Sequence, residues 1–343
     1  MNGSSAAGIL VAALSALFAA RPAEAQEDKP KRLFWEAEEN IGLGLFQSVS
    51  LSPIPSFRTG LGPRLPSSLQ EGAIEFRVNE DWARVLSVHD DWLLDYDVLR
   101  SNLGLSWGVT DRLRLDLDFE TATRTTGYLD TFILGFHRTF NLSIGNRRQY
   151  QNHPQTIQIQ PPDGGPTILV DEHDPQPYAQ SLLATAQVAL VRGGDSFPDV
   201  SASLSLRRVL SDGDLSLGSP VDVGASLSFS KSAGPVYFYL GGSLAWYGEE
   251  DFSGLPLRSI QWSGIFGIEI RATGWFSIAG QYLITSGGLD SLDDLSRPSH
   301  EITAGFKWKL GRAYVLETAI IENIINPYNS PDFGVHFSVT VRW

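Results

Sequence analysis

Apolar and polar residues trade places with a period of two along most of this chain. Val200, Ala202, Leu204 and Leu206 alternate with Ser201, Ser203, Ser205 and Arg207. Leu113, Leu115, Leu117 and Phe119 alternate in the same way with Arg114, Asp116, Asp118 and Glu120. Val221, Val223, Ala225, Leu227 and Phe229 stand against Asp222, Gly224, Ser226 and Ser228. The final segment sets Phe333, Val335, Phe337, Val339, Val341 and Trp343 against His336, Ser338, Thr340 and Arg342. Neighbouring side chains of a β-strand point to opposite faces, so this period reports a sheet between two different environments. Less regular segments at 72–80, 95–107, 181–192, 236–247, 260–271, 275–285, 300–310 and 313–322 bring the expected count to about twelve strands. Each is near the ten residues that cross a bilayer at a tilt.

A soluble sandwich also alternates, but its outer face is charged and its strands are shorter. Here the apolar faces end in Trp107, Trp246, Trp262, Trp275, Trp308 and Trp343, a placement that suits aromatic girdles at two membrane interfaces. The pattern therefore predicts an all-β fold, a transmembrane antiparallel up-and-down β-barrel. Short connections at 108–111, 193–198, 232–235, 272–274 and 311–312 alternate with long ones at 81–94, 122–180, 211–220, 248–259, 286–299 and 323–332. Bacterial barrels have short periplasmic turns and long external loops, so the alternation orients the chain. Residues 42–51 also resemble a strand, yet counting them would make the number odd. Residues 26–69 are therefore set apart as a periplasmic or lumen-entering segment, and the barrel is assigned to 70–343.

The first residues point to the compartment. A short apolar run at 9–20 precedes Ala23-Glu24-Ala25, an A-x-A site that predicts a signal peptide over 1–25 with cleavage near Ala25. No other window holds the roughly 18 apolar residues that a spanning helix needs. The expected destination is the bacterial outer membrane. A net charge of −13 argues against a nucleic-acid partner, because phosphate neutralisation needs a basic face. The chain has no cysteine, which removes disulfides and thiol-bound metal. Asp90-Asp91, Glu249–Asp251 and Asp290–Asp294 match no calcium loop, so neither metal nor cofactor is expected. The expected partners are outer-membrane lipid, lipopolysaccharide, and the barrel-assembly machinery, addressed by the terminal strand ending in Trp343.

The long connection at 122–180 holds one segment of a different period. Tyr128, Phe132, Phe136 and Phe140 stand four apart, with Asp130 and His137 between them, which predicts an amphipathic helix at about 127–142. Those six residues are candidate lid residues over the barrel mouth, although a helix packed on neighbouring loops would read the same way. The run Gly-Tyr-Leu-Asp-x-Phe-Ile-x-x-Phe-His-x-x-Phe, from Gly127 to Phe140, resembles the hallmark of the domain of unknown function 3187 family. Glu322-Asn323 and the run from Asn329 to His336 are similar to its C-terminal signature. The resemblance implies an outer-membrane barrel and carries no catalytic residues.

Candidate chemistry lies on the polar faces of the strands. Arg112, Arg114, Asp116, Asp118, Glu120, Arg207 and His336 are expected to face the lumen, with further charges such as Glu269, Glu301 and Lys307. Two readings follow. The charges line a gated channel or transporter-like pore for a small solute, or they hold a non-conducting structural or adhesive barrel shut. A third, an outer-membrane hydrolase, would need His137 or His336 beside a hydroxyl and a carboxyl group. No Gly-x-Ser-x-Gly elbow or His-Glu-x-x-His helix is present, so the chain reads as a non-enzyme.

Overall fold

The structure is a computed structural model. It describes residues 40–58, 61–66, 69–125, 135, 138–139, 155–160, 167–172, 176–194, 196–211, 221–252, 254–323 and 325–343. The strands run β1 (Ile74–Val88), β2 (Trp92–Gly108), β3 (Leu113–Thr125), β4 (Gln155–Ile159), β5 (Ile168–Glu172), β6 (Gln176–Val191), β7 (Asp199–Ser211) and β8 (Val221–Ala233). They continue with β9 (Val236–Trp246), β10 (Asp251–Phe252), β11 (Leu255–Pro256), β12 (Ile260–Arg271), β13 (Phe276–Thr285), β14 (Ser299–Leu310), β15 (Tyr314–Asn323) and β16 (Phe333–Arg342). Twelve of them, all but β4, β5, β10 and β11, form one antiparallel wall. The wall closes because β1 pairs with both β2 and β16, the latter from Glu75 opposite Arg342 to Arg84 opposite Phe333.

The two faces of the wall separate as the alternation predicts. Leu103, Leu105 and Trp107 of β2 are exposed outward, while Asn102 and Ser106 are buried inward. Trp107, Trp275 and Trp343 stand exposed near the short turns, and Trp246 and Trp262 stand exposed near the long loops. Two aromatic rims thus flank an apolar outer band, the surface that a membrane-spanning barrel requires.

One expected loop is wall instead. Residues 81–94 continue β1 and begin β2, with a turn of only three residues at 89–91. Arg84 faces Asp97 in the register and pairs with both Asp95 and Asp97. These charges look like loop composition, but they satisfy one another across the hairpin. Strands β4 and β5 form a hairpin, and β4 adds to the outer end of β2, with Trp92 opposite Ile159. Tyr128, Asp130, Phe132, Phe136, His137 and Phe140, with most of the expected 127–142 helix, lie outside the described residues.

The main apolar core sits at the long-loop end. Helix α1 (Pro53–Phe57), which starts with proline at its first position, lies there with buried Leu51 and Ile54. Val85, Trp92, Leu94, Tyr96, Ile157, Ile159, Leu257, Leu289 and Leu295 join the same buried cluster. Hairpin and loop residues from four connections therefore pack around a helix that belongs to the N-terminal segment.

Candidate functional site

Residues 40–66 run through the lumen and back. At the short-turn end, Asn40 donates to the carbonyls of Gly194 and Phe197 at 3.3 and 3.2 Å and accepts from the Ser232 amide at 3.1 Å. The chain then climbs past Glu269, Lys307 and Glu301 to α1. Beyond it, Arg58 donates to the carbonyls of Glu249 and Arg258 in a long loop at 2.7 and 2.8 Å, with its guanidinium over the Tyr247 ring. Gln187 on β6 donates to the carbonyl of Leu65 at 2.8 Å on the descending arm. Gln70 is back at the short turns, where its carbonyl accepts from Ala73.

Three wall charges hold the ascending arm. Gly42 and Gly44 have φ of 58° and 82°, a left-handed backbone that glycine adopts without strain. That conformation aims the amides of Leu43 and Gly44 at Oε2 of Glu269, at 3.0 and 3.1 Å, a small anion-binding nest. The Tyr239 hydroxyl, 2.7 Å from the same oxygen, completes it. Lys307 donates to the Leu45 carbonyl at 3.0 Å and lies 5.0 Å from the centre of the Phe46 ring. Glu301 accepts from the Ser50 hydroxyl at 2.5 Å and the Leu51 amide at 3.1 Å.

Apolar side chains of the segment seat in notches left by two wall glycines and by Gly288 of the loop after β13. A Cβ on Gly267 would lie 2.3 Å from a methyl of Leu45, one on Gly288 2.6 Å from Ile54, and one on Gly224 3.2 Å from Leu61. Dense packing leaves no slack for added carbons. Gly267→Val should therefore dislodge the ascending arm while leaving the barrel folded. Limited proteolysis should cut the variant within 40–66 at least about tenfold faster than the parent protein, a population shift of roughly 1.4 kcal/mol. Equal protection would show that Leu45 contributes nothing to docking.

The expected lumen residues separate into placed and misplaced. Arg114, Asp116, Asp118, Glu120, Arg207 and His336 are all buried on the inner face. Arg114 donates to Asp116 at 2.6 Å and to Glu75 at 3.2 Å, and Arg207 pairs with Asp222. His336 lies 2.6 Å from Asp81 and 3.4 Å from Glu317. Arg112 is the exception and must be corrected. It is exposed in the 109–112 turn, because the Thr110 hydroxyl accepts the amides of Arg112 and Leu113 and the strand begins only at Leu113.

Asp118 ties the two parts together. Its oxygens accept from Arg77 of the wall and from Arg64 of the descending arm, both at 2.9 Å. Burial opposes the charge on Arg64, but Asp118, backed by Asp116 and Glu120, outweighs it and raises the guanidinium above its ordinary pKa. Arg64, Ser50, Leu45 and Gly267 escaped the sequence reading. Gly42-Leu43-Gly44 was the available signal, a flexible step inside an otherwise strand-like run.

Between the two arms and the β1–β2–β3 wall lies a polar cleft. Residues 32–343 match the family described as protein of unknown function (DUF3187). The chain belongs to that family. This DUF3187 barrel is similar to an outer membrane channel from Pseudomonas putida F1, at 15% identity and a TM-score of 0.51, over 83% of this chain and 98% of that one. NanC porin (9% identity, TM-score 0.46, 78% and 98% coverage) and the CymD monoaromatic hydrocarbon channel (10%, 0.43, 87% and 99%) also match. The first likeness shows a shared barrel fold. A comparison with curated proteins gives no match. The C-terminal signature of the DUF3187 chain organises the long-loop rim. Asn323 donates to the Pro331 carbonyl at 3.0 Å, Asn329 to that of Arg297 at 2.6 Å, and Ser330 accepts the His300 amide at 3.2 Å.

Proposed function

We propose that this protein is a gated outer-membrane channel for a small polar solute, with residues 40–66 as its gate. One observation carries the reading: the lumen is occupied by a stretch of chain that belongs to no wall strand. The ascending arm is anchored by backbone amides, a carbonyl and the Ser50 hydroxyl docked on wall charges, groups that water can replace. The ion pair of Arg64 with Asp118 holds the descending arm. Twelve strands enclose more room than the eight whose side chains fill their own interior, so withdrawal of the segment leaves a hydrated path. Transport suits the lumen better than hydrolysis does. The described hydrogen-bond partners of His336 are two carboxylates, with no hydroxyl nucleophile beside it.

The second reading, a closed structural barrel, draws on ion pairs that join separate strands. Glu75 of β1 accepts from Arg114 of β3 and from Arg342 of β16. Osmotic swelling of proteoliposomes in a small sugar separates the two. A protein lacking 40–66, with folding checked by heat-dependent gel mobility, should swell its vesicles at least about tenfold faster than the intact protein. No swelling from either folded protein would leave the structural barrel as the better account.

A further inference from the structure

Four inward side chains on neighbouring strands carry polar atoms with no hydrogen-bond partner. They are Nε and Nη1 of Arg77 on β1, Nε of Arg100 and Oδ1 of Asn102 on β2, and Oε2 of Glu120 on β3. All four residues line the cleft and are more than nine-tenths buried, at 3%, 5%, 8% and 3% exposure. Each side chain is also held by at least one hydrogen bond, which fixes its position. Arg100 donates to Oε1 of Glu120 at 2.7 Å, Asn102 donates to the same oxygen at 3.3 Å, and Arg77 is held by Asp118 at 2.9 Å. Asn102 stands directly opposite Glu120 in the register, and Arg77 stands opposite Gly104. A Cβ at Gly104 would lie 2.6 Å from Asp118 and 2.9 Å from Arg77, so glycine leaves space for their ion pair.

Buried polar groups normally find partners, so a set of five unspent atoms in one strip calls for an occupant. The strip offers donors at one part and acceptors at another. Among the described residues, the cleft as a whole is lined by five arginines and five carboxylates. A guest of either net charge would be left uncompensated in so buried a site. A guest that carries both charges and sums to zero satisfies the donors and the acceptors together.

We propose that this strip, centred on Arg77, Arg100, Asn102 and Glu120, is a binding site for a small zwitterion of the α-amino-acid type. The carboxylate of the guest accepts from the two guanidinium groups, and its ammonium donates to Glu120 and Asn102. The site rests on the channel reading only for its purpose, as a stop on the path of the permeant solute.

Calorimetric titration of the full-length mature protein in detergent tests the assignment. The probes are each common L-α-amino acid in turn, with sodium acetate and methylammonium chloride as single-charge controls. At least one amino acid should bind at least about tenfold more tightly than either control. Glu120→Gln, which keeps the shape and removes the charge, should bring that amino acid to within about threefold of acetate. If acetate binds as tightly as every amino acid, the strip is a plain anion site and the proposal fails. It fails equally if no probe binds, since ordered water then satisfies these atoms. The wild-type comparison needs no variant and stands even if Glu120→Gln does not fold. Binding without any solute flux would overturn the channel and keep the site, whereas flux without binding would do the reverse.

Discussion

With residues 40–66 as the proposed gate, replacing Glu269 with alanine should raise the time the lumen is open from a small fraction to a large one. The carboxylate accepts the amides of Leu43 and Gly44 and the Tyr239 hydroxyl, all between 2.7 and 3.1 Å. Hydrogen bonds to a charged partner contribute about 1.5–3 kcal/mol each, and water recovers part of that once the arm is released. A net loss of about 3 kcal/mol shifts the docked-to-free ratio roughly a hundredfold. Glu269 is buried and reaches the segment from the wall, so its removal loosens the arm without cutting a strand pairing. Glu269→Gln keeps an acceptor and should give a smaller shift. An alanine variant that folds normally and gates like the parent would remove the nest from the account.

The second large effect falls on the barrel itself. Lys307 is fully buried, donates to Glu317 at 2.6 Å and to the Leu45 carbonyl at 3.0 Å, and faces Phe46. Lys307→Met preserves the length and apolar stem but leaves Glu317 with only His336, 3.4 Å away. Breaking a buried ion pair from one side costs about 3–5 kcal/mol, because the remaining charge stays out of water. Barrels unfold slowly and often irreversibly, so the cost should appear as an unfolding rate on the order of a hundred- to a thousandfold faster at fixed temperature. Loss of the fast-migrating gel band over time measures it. The double variant Lys307→Met with Glu317→Leu should recover most of the loss, since no lone charge remains. If the single variant unfolds at the parent rate, the pair contributes no stability.

The wall was legible in the sequence because its two faces meet such different surroundings. Ser201, Ser203 and Ser205 on one side and Ala202, Leu204 and Leu206 on the other leave one placement for β7, and the even strand number followed from loop lengths. Legibility failed where charge is satisfied by distant partners. Arg84 lies in a stretch that reads as a loop, and only the β1–β2 register brings it against Asp95 and Asp97. It failed again in the segment at 40–66, whose contacts reach across the whole chain. Leu43 binds Glu269 and Leu45 binds Lys307, separations of 226 and 262 residues, and no local period encodes such pairs. Arg112 was misplaced by a smaller margin. The alternation alone runs one residue past the Thr110 turn that starts β3.

The candidate site was legible in part. Arg114, Asp116, Asp118 and Glu120 could be put on one inward face from period two alone. Their partners could not, because Asp118 divides its oxygens between the wall and the segment. The strip of unspent atoms on Arg77, Arg100, Asn102 and Glu120 depends on which hydrogen bonds are already made, a property of the closed barrel rather than of any one strand.

The central claim is that the stretch at 40–66 closes the lumen. Single-channel recording in planar bilayers tests it most directly, with the intact protein and a folded variant lacking 40–66 compared under the same voltage and salt. The intact protein should stay closed for most of the record and open in discrete, rare steps. The shortened protein should conduct steadily, with the closing events gone. A shortened protein as silent as the intact one, or an intact protein that conducts without closing, would contradict the account.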